Sequence, residues 1–290
     1  MAAGISVRSI FVFFVVCVLF SFFLLLFGFC FPCLPVLVRN PKELLRKLAR
    51  GESVAVDIRK SIGPDLNMSQ DPCPWNERFQ ALLDLEDSPA KFAALSNIGN
   101  DFASAASVFG RIIIEELFVP FDQKTIKPLS MGGLHGGLKY VVHGILFKFC
   151  LASMSENDLF GSDANAMKTA GNELKALVSI FNAGVASSTP ETSEIRNLRL
   201  PLMCIVDFRG YRVLAMAVLP ISSSTLRYGS SDGGKHVHDD DQEMARAIKQ
   251  LANVLGLKKH RVGSQNLYLC GDVEGHRGTG SFARKRGKRR

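Results

Sequence analysis

Two charged residues in apolar surroundings are the first candidates for chemistry. In "KYVVHGILFKF", residues 139–149, which reads as a buried strand, the ammonium of Lys148 stands between Phe147 and Phe149. Downstream, "DANAMKTAGNELKALVSIF" has helical spacing, and Ala166, Ala170, Glu173 and Leu177 fall on one stripe. An ammonium in an apolar strand and a carboxylate on an apolar stripe are each costly to bury alone. An ion pair between Lys148 and Glu173 offsets much of that cost, and this is the structural reading. The functional reading makes the same two residues a nucleotide clamp, with Lys148 on the phosphates and Glu173 orienting it.

The neighbouring elements bear on that choice. A Gly-rich turn ("MGGLHGG"), a strand ending in lysine, a helix bearing glutamate and a two-stranded hairpin ending in "LPI" follow in the order of a protein-kinase small lobe. ATP is the cofactor this reading admits. Against it, the chain has no HRD or DFG string, and "GGLHGG" is not a clean GxGxxG. The structural pair is therefore preferred, and no residue is assigned as catalytic.

Three other stretches carry polar groups. "GSSDGGKH", residues 229–236, fits GxxxxGK, but His236 stands where a P-loop needs Ser or Thr for magnesium, and no helix opens at Lys235. It reads as a glycine-built surface loop, and Tyr228, Gly229, Asp232, Gly233, Gly234, Lys235 and His238 form a candidate interaction loop. "HVHDDD" has an HxH, yet its third ligand would be an aspartate better used as a helix cap, so no metal is assigned. Asp272, Glu274 and His276 would share one face of an extended strand, a polar cluster suited to acid–base work or to an ordinary strand exit.

The elements that position these groups divide the chain. Residues 39–74 read as a juxtamembrane helix and Pro-rich linker. Residues 75–126 read as helical, with Ser88 capping, Pro89 at the first helical position and a kink or break at Gly110. Residues 127–278 mix strands and helices. A hairpin turns at residues 207–210, and a further helix is capped by Asp240, with Glu243 completing a capping box. The fold class is α+β, with a small antiparallel sheet and packed helices.

The first 38 residues read as a membrane anchor. Residues 10–38 carry no charge, and residues 10–31 are long enough to span a bilayer as a helix. Arg39, Lys42, Arg46, Lys47 and Arg50 follow, so the positive-inside rule puts the C-terminal body in the cytosol of a single-pass protein. The seven cysteines show neither a disulfide framework nor zinc spacing. Net charge is +8, and six of those charges lie in residues 279–290, on Arg284, Lys285, Arg286, Lys288, Arg289 and Arg290. That basic tail suits RNA phosphates or anionic lipid, while the rest of the chain, near +2, is no strongly basic surface.

Four stretches together, "KYVVHGILFKF", "AMKTAGNELKAL", "LPLMCIVDFRGYRVLAMAVLPI" and "LRYGSSDGGKHVH", resemble the Clu domain of the clustered-mitochondria family. The resemblance covers residues 127–276 and extends to the helical stretch from Trp75. It implies a cytosolic role in distributing mitochondria, binding of messenger RNAs for mitochondrial proteins, and ribosome-associated partners. It carries over no catalytic residue. The chain departs from the family in its expected anchor and beyond "GDVEGHRGT", where a further strand and an R-x-x-P-P stretch are usual. A truncated or divergent C-terminal end is expected. The sequence thus points to a membrane-tethered Clu-like interaction module with an unknown protein partner. A nucleotide-binding (pseudo)enzyme built on Lys148 and Glu173 is the alternative.

Overall fold

The computed structural model describes residues 10–14 (backbone only), 73–129, 138–152, 160–187, 189–232, 234–270 and 273–278. In chain order, the elements begin with β1 (Ile10–Phe14), α1 (Trp75–Leu83), α2 (Pro89–Glu115), β2 (Lys139–Val142), β3 (Ile145–Phe149) and α3 (Asp163–Ala186). Then follow β4 (Leu198–Arg199), β5 (Met203–Phe208), β6 (Tyr211–Ala217), β7 (Leu226–Gly229) and β8 (His238–Asp239). The chain closes with α4 (Gln242–Val254), β9 (His260–Val262), β10 (Gln265–Leu267) and β11 (Val273–Arg277). The α+β class holds, with one antiparallel four-stranded sheet, β2-β3-β6-β5, one five-stranded sheet, β4-β1-β11-β7-β8, and a β9–β10 hairpin.

The expected membrane anchor is corrected. Its first residues, Ile10–Phe14, form a strand paired antiparallel to β11 and parallel to β4. Among the described residues, no helix is long and apolar enough to cross a membrane. The single-pass topology, and the cytosolic placement derived from it, fall with the anchor. The physical reason is composition. "IFVFF" consists wholly of β-branched and aromatic residues, which favour a pleated strand, and a short apolar run has no period to separate strand from helix. Residues 15–31 of the expected span, the linker up to residue 72 and the basic tail lie outside the described residues.

Helix α2 starts as its sequence requires. The Ser88 side chain accepts from the Lys91 amide at 3.2 Å, and Pro89 occupies the first turn, where no N–H is needed. The expected break at Gly110 is absent, and α2 runs through it. Instead, the Val206 methyls of β5 lie 3.1 Å from where a Cβ would stand, so glycine lets the helix lie close on the sheet.

The stretch 139–149 is not one strand. It folds back at His143 and Gly144, whose φ values of 52° and 71° suit a two-residue hairpin turn. The fold-back changes which side chains are neighbours. Tyr140 lies opposite Phe147 on the large-core face, and Lys139 lies opposite Lys148.

One face of the four-stranded sheet presents Tyr140, Ile145, Phe147, Phe149, Val213 and Ala215 to Phe102, Phe109, Ile112 and Ile113 of α2. Full burial of each large side chain stabilises by roughly 1.5–3 kcal/mol. The opposite face is covered by α3 through a smaller cluster of Cys150, Ala170 and Leu214. A second core forms where Met244, Ala247, Ile248 and Leu251 of α4 pack against Tyr228, Leu267, Val273 and the Ile180 end of α3. That i, i+3, i+4, i+7 spacing is the buried stripe of an amphipathic helix. Helix α3 therefore contributes to both cores. The cap of α4 is Asp241 rather than the expected Asp240; its carboxylate accepts from the Met244 amide at 3.0 Å. With Asp241 as the cap, the third helical position is Met244, so Glu243 falls outside the expected capping box and accepts from Arg277 at 2.8 Å.

Candidate functional site

Lys148 and Glu173 line one crevice between β3, β6 and α3, together with Cys150, Phe160, Thr169 and Ala170. Its cavity volume is about 20 Å³, room for about one water. Among the described residues, no ion pair or hydrogen bond runs from the Lys148 ammonium to Glu173, which has polar contacts of its own. Burial pushes the Cys150 thiol up to about 11 despite nearby Lys148, which leaves it protonated and a poor nucleophile.

The candidate interaction loop turns inward. Tyr228 is 2 % exposed, and its hydroxyl lies 2.9 Å from the Tyr268 amide, from which it accepts. Gly229 is buried, with φ of 88°; a Cβ there would stand 1.6 Å from the Val273 carbonyl oxygen. Beyond it, Asp232 organises the loop. It accepts from the Ser230 hydroxyl at 2.8 Å and from the His236 amide at 2.9 Å, and it meets the His236 ring at 2.5 Å. The His236 amide, its ring and Ser230 hold the Asp232 carboxyl well below the usual carboxylate range. His238 meets Asp240 at 3.1 Å. Lys235 is exposed, and Gly233 lies outside the described residues. Most of the loop's polar capacity is thus used internally.

The expected polar cluster is partly assembled. Glu274 and His276 sit two residues apart on β11, with His276 Nε2 3.1 Å from Glu274 Oε2. His276 Nδ1 lies 3.0 Å from the Thr225 hydroxyl, which also meets the Ser222 carbonyl at 2.7 Å. The ring is 3 % exposed and ties β11 to the turn before β7. Asp272 lies outside the described residues. Among the described residues, no three His, Cys, Asp or Glu side chains gather as metal ligands do.

A group not singled out in the sequence forms a rim where α2 meets the β5–β6 turn. Phe118 is 78 % and Phe121 58 % exposed. The ring of Phe118 lies 6.3 Å from that of Tyr211, edge to face. The guanidinium carbons of Arg111 and Arg209 lie 5.4 and 5.3 Å from the Phe208 ring centre, and the Lys127 ammonium 5.2 Å from that of Phe121. The segment bearing the two phenylalanines is pinned from below. Lys124 donates to the carbonyls of Glu116 and Leu117, while the Glu116 carboxylate accepts from the amides of Thr125 and Ile126 at 2.8 and 3.2 Å.

Two features of the rim run against local stability. Arg209 occupies a turn position with φ of 48°, where Gly or Asn is preferred. Glu115, its side chain 8 % exposed, lies 3.6 Å from Arg209, yet neither carboxylate oxygen has a hydrogen bond. Burial raises the Glu115 pKa above the ordinary value, and the pull of Arg209 and Arg111 does not fully offset it. Costs of this kind collect at sites kept for a purpose other than stability. The signal that was available is "FRGY", with arginine at a tight-turn position, and "LFVPF", an apolar run outside any periodic element.

Comparison with known proteins closes the question of family. No solved structure matches the chain. The chain is 25 % identical over 257 residues to the Clustered mitochondria protein of Arabidopsis thaliana, covering 75 % of this chain and 17 % of that protein. It is 24 % identical over 178 residues to the homolog from Dictyostelium discoideum, covering 58 % and 12 %, and 22 % identical over 213 residues to the human homolog, covering 69 % and 15 %. The chain therefore spans less than a fifth of the length of these curated relatives. A family model described as Clustered mitochondria matches residues 74–282, which takes in both cores, the crevice and the aromatic rim, and the chain belongs to that family.

Proposed function

We propose that this chain is a binding module acting in mitochondrial distribution, and that it docks a protein partner through the rim of Phe118, Phe121, Phe208, Tyr211, Arg111 and Arg209. The observation that carries this reading is the rim's composition and support. Exposed aromatic rings beside arginines, held on a pinned segment, are the makings of an interface hot spot. The rim's acidic groups, Glu115, Glu116 and Asp122, nearly balance its cations, which favours a protein partner over a polyanion. Messenger RNA is the ligand class for the six cations within residues 284–290 of the sequence, where phosphate contacts would be salt-sensitive and independent of sequence.

The test uses cells lacking the protein, supplied with the full chain or with a Phe118→Ser, Phe121→Ser variant. Both rings are already largely in water, so folding should change by no more than about 0.5 kcal/mol. The intact chain is expected to restore the spread of mitochondria, and the variant to fail at equal abundance and equal melting temperature. Full restoration by the variant overturns the rim assignment. A variant that docks normally but loses RNA when the tail's six cations are changed to Gln would assign the RNA role to the tail alone.

A further inference from the structure

The register of the β2–β3 hairpin sets Lys139 directly opposite Lys148, on the sheet face turned to α3 and the crevice. Like charges facing each other across a strand pair are destabilising. Among the described residues, neither ammonium has a hydrogen-bond or ion-pair partner. Glu173 lines the crevice with Lys148, and Glu274 on β11 acts on Lys139 through space while meeting His276. Burial and the Lys148 charge depress the Lys139 ammonium, with Glu274 opposing them.

We infer that Lys139 and Lys148 together bind a phosphoryl group at the mouth of the crevice. A cavity of about 20 Å³ is too small to bury a nucleoside. A phosphate presented from the open side can reach both ammoniums, which act as paired point charges with charge-assisted hydrogen bonds. Glu173, which lines the same crevice, limits the negative charge the mouth accepts. The ligand class is a phosphate ester or free phosphate, and it is independent of the partner docked at the rim.

The test is acylation of lysines in the full chain at neutral pH, read residue by residue by mass spectrometry. Inorganic phosphate and magnesium ATP serve as probes, and the six cations of residues 284–290 are changed to Gln so that the tail cannot compete. Either probe is expected to protect Lys139 and Lys148 while leaving exposed Lys127 and Lys235 unaffected. Stronger protection by ATP assigns a nucleotide; equal protection assigns free phosphate. Lys148→Met should abolish protection of Lys139, with a loss of affinity on the order of tenfold or more, as expected for one charge-assisted bond. Lys148→Arg, which keeps the cation, should retain it. If Lys148→Met does not fold, Lys139→Met gives the same reading from the other side. No protection by either probe, or protection unchanged in both methionine variants, overturns the site. Such a result would leave the rim reading untouched.

Discussion

Replacing Glu115 with methionine should stabilise the protein at neutral pH, although it deletes a charge next to two arginines. The carboxylate is nearly buried, and neither oxygen is hydrogen-bonded. A buried polar group left in that state costs about 1–3 kcal/mol. Against this stands the attraction of Arg209 at 3.6 Å, whose own side chain is 47 % exposed, so the pair is screened and worth at most about 1 kcal/mol. Burial is the larger influence on the carboxyl, and its pKa is raised rather than lowered. Methionine fills a similar volume and has nothing to desolvate. The expected gain is about 1 kcal/mol, or roughly 2–4 °C in melting temperature for a domain of this size.

The pH dependence tests the cause. A carboxyl whose pKa is higher in the folded than in the unfolded protein favours folding when protonated. Its contribution is fully present below the ordinary value of 4.5 and is lost as pH rises through the raised folded value. The wild-type deficit relative to Glu115→Met should therefore be largest near neutrality and shrink as pH falls toward 4.5. Urea unfolding followed by the single tryptophan, Trp75, measures both. Trp75 is 5 % exposed and packs edge-on to Phe102, so its emission reports the main core. A less stable variant at neutral pH, or a gap that does not narrow on acidification, would refute the reasoning. The same variant frees Arg209 from its anchor. A gain in stability accompanied by weaker docking at the rim is the pattern expected of a site kept at the expense of stability.

Two further outcomes are expected. Gly229→Ala places a Cβ 1.6 Å from the Val273 carbonyl oxygen at a φ of 88°, so it should lower stability by about 3 kcal/mol or more; a soluble variant with unchanged melting temperature would contradict the β7–β11 crossing. The His143 ring lies 5.8 Å from Trp75, and burial lowers its pKa, so the ring stays neutral as pH falls past 6.5, and stability is lost only below that. Quenching of Trp75 emission should set in below pH 6.5 and vanish in His143→Asn, which tolerates the φ of 52°; a quenching step at or above pH 6.5 would exclude burial as the cause.

The helices were the legible part of the fold, because capping chemistry is local. Ser88 accepts from the amide three residues on, as expected, and Ala166, Ala170 and Glu173 lie on the buried face of α3 as their spacing requires. The strands were harder, since pairing depends on partners far along the chain. The run of residues 10–14 is apolar enough for lipid and β-prone enough for a sheet. Only its position between β4 and β11 decides. The turn at His143–Gly144 was missed because histidine tolerates a left-handed φ less obviously than asparagine. What holds it there is tertiary: the Trp75 indole donates to the His143 carbonyl at 2.9 Å, and the ring packs against Phe109 at 5.7 Å.

That one missed turn also explains why the candidate sites were only half legible. With residues 139–149 read as a single strand, Lys148 is an isolated ammonium in need of one acid, and Glu173 is the natural answer. Folded as a hairpin, the same residues put a second ammonium directly across the ladder, and a single glutamate no longer balances the face. The question changes from which residue neutralises Lys148 to what anion two lysines are held to receive. The rim follows the same logic. Arg111, Phe118, Phe121 and Arg209 lie up to 98 residues apart in sequence and converge only because Gly110 lets α2 lie close on β5, bringing the helix end to the Phe208–Tyr211 turn. Neither convergence leaves a spacing motif. A tight turn with arginine where asparagine is preferred, and a lysine in an apolar strand, are local misfits instead, and in both cases the misfit marks the residue that tertiary structure uses.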